Sequence, residues 1–105
     1  MKNDLLKIIL HYGVNAQQRQ LAEEVFELQE AIYQYIAQKE ACENIGCSRI
    51  HIDKCKEHIA EEIADVMIML GQFVYYYDIN ERNINKIADY KIKRQLERIK
   101  NEVKK

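Results

Sequence analysis

One eight-residue pattern occurs twice in this chain, and it limits the fold more than any other feature. Leu21-Ala22-Glu23-Glu24-Val25-Phe26-Glu27-Leu28 returns 38 residues later as Ile59-Ala60-Glu61-Glu62-Ile63-Ala64-Asp65-Val66. Aligned position by position, apolar meets apolar at five places, and Glu23, Glu24 and Glu27 meet Glu61, Glu62 and Asp65. At about 100° per residue, Leu21, Val25, Leu28 and Ile32 fall in one helical stripe, as do Ile59, Ile63, Val66 and Leu70. Glu24 and Glu27 share a face at the edge of the first stripe, and Glu62 and Asp65 hold the same relation to the second. If the stripes pack together, four carboxylates meet at one flank. Acids beside an apolar stripe usually mark only a solvated edge. Two copies in matched register argue for more, because four converging anions repel one another unless a cation sits between them.

The rest of the chain fits long helices. It has no proline, only three glycines, and 48% hydrophobic residues. Its 105 residues suit a single all-α domain, 1–105: a bundle of about four helices whose two long central members carry the acids. Asn3 is the expected cap of a first helix, Asp4 to Tyr12, ended by Gly13. Asn15 is the expected cap of the second, which runs to Cys42 or Glu43 before the turn Asn44-Ile45-Gly46. Ser48 or Asp53 would cap the third, ending near Tyr77, and Asp78-Ile79-Asn80-Glu81 reads as a capping box opening the fourth.

Several function classes are disfavoured. A net charge of −1 gives no global signal for a nucleic acid polymer or an anionic membrane. The apolar run from Val66 to Tyr77 is interrupted by Gly71 and Gln72 and is too short to span a bilayer. Met1-Lys2-Asn3-Asp4 has no secretion-signal features, and three cysteines are an odd number, so the expectation is a cytoplasmic protein with free thiols. Cys47, His51, Cys55 and His58 share one helical face, but a single straight helix cannot wrap four ligands around zinc. A di-iron carboxylate centre needs Glu-x-x-His, which the sequence lacks. What is left is an all-oxygen donor set, which favours Mg²⁺ or Mn²⁺.

The pairing of Glu23-Glu24-x-x-Glu27 with Glu62-x-x-Asp65 resembles the all-α nucleoside triphosphate pyrophosphatase superfamily, the MazG-like proteins and their dimeric dUTPase-like relatives. The likeness extends to His11-Tyr12-Gly13 with Gln17, to Ala64-Asp65-Val66 with Ile68-Met69-Leu70, and to the basic stretch from Lys91 to Arg98. It implies Mg²⁺ held by Glu24, Glu27, Glu62 and Asp65, and release of pyrophosphate from a nucleoside triphosphate. Glu23 or Glu61 is expected to orient water or support the metal ligands, and Lys91 and Arg94 to neutralise the departing pyrophosphate. Gln17 and Gln20, on the acids' flank, are expected to meet the substrate. A homo-oligomer, dimer or tetramer, would complete the site. The alternative is a non-catalytic metal-binding regulatory or interaction bundle. Two features depart from the family pattern. The lysine often found just before the first acidic pair has no match, since Leu21 and Ala22 stand there, and the 34 residues between Glu27 and Glu62 make a long spacer. The expectation for that excess is that it projects beyond the metal site and takes no part in chemistry.

Overall fold

The computed structural model describes residues 1–46 and 49–103, and 93% of it is helical, with four helices and no strand among the described residues. They are α1 (Lys2–Tyr12), α2 (Val14–Ile45), α3 (Arg49–Tyr76) and α4 (Glu81–Val103). At about 1.5 Å per residue, α2 is about 48 Å long, which sets the 49 Å longest dimension of the molecule. No helix among the described residues is long and apolar enough to cross a membrane.

The helix ends differ from expectation in instructive ways. α1 starts earlier, with Met1 as its cap and no side-chain cap bond, so Asn3 lies inside the first turn. Gly13 serves two helices at once: its N–H bonds Ile9 O at 2.8 Å to close α1, and its carbonyl accepts from Gln17 N at 3.1 Å to open α2. Its φ of 93° is left-handed backbone that glycine adopts without a Cβ clash. Asn15 is therefore helical and does not cap. The expected cap Ser48 lies outside the described residues, and Asp53 is inside α3.

α3 ends in a Schellman motif. Ile79 N–H bonds Val74 O at 2.8 Å, Asp78 N–H bonds Tyr75 O at 3.2 Å, and Asp78 takes the left-handed position at φ 53°. The capping box expected from Asp78 consequently fails, since Asp78 is spent ending α3. Asn80 caps α4 instead, its Oδ1 accepting from Arg82 N–H at 2.9 Å. The Glu81 carboxylate hydrogen-bonds the Tyr75 phenol, which this bond pushes above its usual range.

α2 and α3 form the main pair, and α1 packs on both. Leu5 and Ile9 of α1 are buried, and Leu5 Cδ1 lies only 2.8 Å from where a Cβ on Gly71 would be, so glycine admits α1 to the surface of α3. The seam of the central pair follows residues three and four apart: Gln17, Leu21, Glu24, Leu28 and Ala31 on α2, and Cys55, Ile59, Glu62, Val66 and Met69 on α3, all buried or half-buried. Half of each expected core stripe lies elsewhere. Val25, Ile32, Ile63 and Leu70 are 46%, 42%, 43% and 49% exposed. The central pair is thus rotated so that Glu24 and Glu62 lie in the seam, leaving an aliphatic face uncovered beside it. α4 is likewise amphipathic but buries none of its residues. The radius of gyration is 18.3 Å, against about 13 Å for a compact chain of this length.

Candidate metal centre

The acidic centre is built by two helices crossing at matched positions. Carboxylate oxygens of Glu24, Glu62 and Asp65 all lie within 4.8 Å of one another. Two oxygens each about 2.0–2.6 Å from one divalent cation lie no more than about 5 Å apart, so the spacing fits a shared ion. Glu62 is only 8% exposed, and Glu24 is half-buried. In both, Oε2 is sealed from solvent without a hydrogen-bond partner. A buried acceptor left unmet costs about 1–3 kcal/mol, and more when charged. No donor meets either Oε2, and three carboxylates form a hard, anionic donor set suited to Mg²⁺ or Mn²⁺.

The fourth expected ligand, Glu27, is exposed at the rim. Its carboxyl is pushed above the usual glutamate range, first by the charge of Glu24, then by desolvation and by Glu62, with side-chain hydrogen bonds to both acids favouring its protonated form. It belongs electrostatically to the cluster, although it is not one of the three residues whose oxygens converge.

The other expected site residues are distributed unevenly. Gln20 Nε2 donates to Glu24 Oε1 at 2.9 Å, which fixes that carboxylate from one turn away. Gln17 is buried, and its Nε2 donates to Gln72 Oε1 at 2.8 Å. The amide expected to meet a substrate thus ties α2 to α3 inside the fold. Gln72 turns its own Nε2 toward Ile68 O at 3.4 Å and Met69 Sδ at 3.5 Å. Glu23 and Glu61 are exposed, and Glu61 Oε2 lies 3.8 Å from His58 Nδ1. Lys91 and Arg94 are on α4, exposed, with the Arg94 guanidinium 5.8 Å over the Tyr90 ring. Among the described residues neither forms an ion pair with the acids.

The sequence reading grouped His58 with Cys47, His51 and Cys55 but not with the acids, although its Nδ1 is 3.9 Å from Glu62 Oε1. The signal was there, since His58 and Glu62 are four residues apart and share a face. The thiol expectation holds for Cys55, which is free, but not for Cys42, which is disulfide-bonded; Cys47 lies outside the described residues. No protein-family model, curated protein or solved structure matches this chain.

Proposed function

We propose that this chain hydrolyses a nucleoside triphosphate to the monophosphate and pyrophosphate, with Mg²⁺, or Mn²⁺ in its place, held by Glu24, Glu62, Asp65 and Glu27. The observation that carries the metal reading is the convergence of Glu24, Glu62 and Asp65, two of which also hold a buried oxygen without a hydrogen-bond partner. The substrate class rests on the resemblance of the doubled acidic motif. Held by these residues, a divalent ion would supply positive charge to phosphate oxygens and lower the pKa of a bound water.

The chain's own residues have separable tasks. Glu24 and Glu62 are pre-positioned because the seam holds them, and Gln20 keeps Glu24 from turning away. Glu23 and Glu61 each adjoin a ligand and are open to solvent, so either can accept a proton from an attacking water. Lys91 and Arg94 would reach phosphate only from a neighbouring protomer. The uncovered aliphatic face of α2 and α3, together with the unburied α4, supports a homo-oligomer in which that happens. The setting we assign is nucleotide-pool housecleaning.

The same unburied α4 also favours a second reading, a non-catalytic metal-binding bundle that docks a partner. Turnover of a panel of ribo-, deoxyribo- and damaged triphosphates, with Mg²⁺ and with Mn²⁺, separates the two. Release of pyrophosphate from at least one of them supports the enzyme. Stoichiometric Mn²⁺ binding with no turnover of any of them supports the docking bundle.

A further inference from the structure

Beside the acidic cluster, α2 and α3 enclose a second feature that the metal reading does not use. It is an open cleft of about 560 Å³. Gln34 and Gln38 of α2 line one wall, and His51, Lys54 and His58 of α3 line the other, with Ala31 and Cys55 also in the lining. Ala31 is one turn past Glu27, and His58 is one turn before Glu62, so the cleft begins where the acids end. His58 stands at the boundary, 3.9 Å from Glu62 Oε1 on one side and lining the cleft on the other.

The lining has a consistent chemistry. Every polar side chain in it can donate a hydrogen bond: two amides, two imidazoles and one ammonium. It contains no carboxylate, although the cluster next to it consists of little else. It also lacks an aromatic ring other than imidazole, and Ala31 and Cys55 offer little apolar surface for a nucleobase to rest on. Donors without acceptor-only groups, beside a cation site, suit an anion with many oxygens.

We infer that this cleft is the subsite for the phosphates that leave as pyrophosphate, with Lys54 as its fixed charge and His51, Gln34 and Gln38 as neutral or switchable donors. The inference rests on the pyrophosphatase reading and deepens it. A triphosphate anchored on the acids and extended along the α2–α3 groove places either its nucleoside or its distal phosphates in this cleft, and the lining suits the phosphates. The spacer between the two acidic motifs then builds part of the site instead of projecting beyond it. It also provides, within one protomer, the cation that Lys91 and Arg94 do not.

Calorimetry on the full chain tests this with three probes: Mn²⁺ alone, inorganic pyrophosphate in Mg²⁺, and a nucleoside monophosphate in Mg²⁺. Lys54→Ala should bind Mn²⁺ within about twofold of the parent while losing about tenfold or more in pyrophosphate affinity. Lys54→Arg should recover most of that loss, and circular dichroism should show unchanged helix content in both. Unchanged pyrophosphate affinity in Lys54→Ala, with Mn²⁺ still bound, overturns the subsite and leaves the metal centre standing. A loss confined to the monophosphate also overturns it, because the cleft would then hold the nucleoside. Failure of the parent to bind Mn²⁺ removes the metal centre and this inference with it.

Discussion

Gln20 and Glu24 are joined one turn apart on α2, with the Gln20 amide on Oε1 of the carboxylate at 2.9 Å and Oε2 left buried and unpartnered. The amide holds one oxygen of the carboxylate in place. An outer partner of this kind commonly governs metal affinity by 10–100-fold. Gln20→Leu should therefore weaken Mn²⁺ binding by about tenfold or more while leaving helix content and thermal stability near those of the parent. Titration calorimetry measures the first and circular dichroism the second. Unchanged Mn²⁺ affinity would mean that Glu24 is positioned by the seam alone.

Glu27 gives a stability test that needs no metal. Its carboxyl is raised in the folded chain, chiefly by the charge of Glu24, so the folded state holds its proton to higher pH than the unfolded state does. Stability then falls as pH rises from about the ordinary glutamate value through the raised folded one, and the loss is complete above it. Glu27→Gln should raise the Tm of the metal-free protein at pH 7.5, and that gain should vanish near pH 3, where both states are protonated. Melting curves in a chelator at the two pH values check this. An equal gain at both would assign the effect to something other than charge.

Gln17 and Gln72 offer a separate measure of how the central pair is held. Both amides are buried and bonded to each other across α2 and α3 at 2.8 Å. Gln72→Leu removes one partner and leaves the Gln17 amide without its cross-helix bond, at a cost of about 1–3 kcal/mol. Adding Gln17→Leu should restore part of that, since two apolar side chains leave no unmet donor. Urea unfolding of the two single variants and the double gives the coupling. Additive losses would show that the bond contributes nothing beyond packing.

The helices were legible in the sequence, because apolar periodicity without proline leaves few alternatives. The rotation of each helix about its own axis was not. In α2 the apolar residues Leu21 and Leu28 flank the Glu24 line, while Val25 and Ile32 lie further round on the same side. A stripe that broad fits more than one seam. The choice depends on what α3 presents, and α3 has the same ambiguity in Ile59, Val66, Ile63 and Leu70. Steric fit selected the narrower line through Glu24 and Glu62, which put the acids in the seam where the sequence suggested a flank. The convergence of Glu24, Glu62 and Asp65 was readable from the matched register. The use of Gln17 as an internal tie was not, because an amide facing a partner helix and one facing a ligand have the same spacing. Asp78 illustrates a third kind of difficulty. Its side chain suits a helix start, but its backbone was needed to end α3.

The exposed basic face of α4 leads to the most demanding expectation. Asp65→Asn should abolish Mg²⁺-dependent turnover, since it removes charge from the converging set. The double variant Lys91→Ala, Arg94→Ala should lose most of its kcat/KM while still binding Mn²⁺, because its missing groups would meet phosphate and not metal. If α4 of one protomer serves the acids of another, the two defective proteins complement each other when unfolded together and refolded as a mixture. In a two-fold dimer, random pairing makes half the molecules mixed. Each mixed dimer has one site carrying both defects and one carrying neither, so the mixture recovers about a quarter of the parent activity. Separate refolding of each variant provides the baseline. Recovery no greater than the sum of the two baselines would place Lys91 and Arg94 outside any shared site, and leave Lys54 as the cation proposed to meet the phosphates.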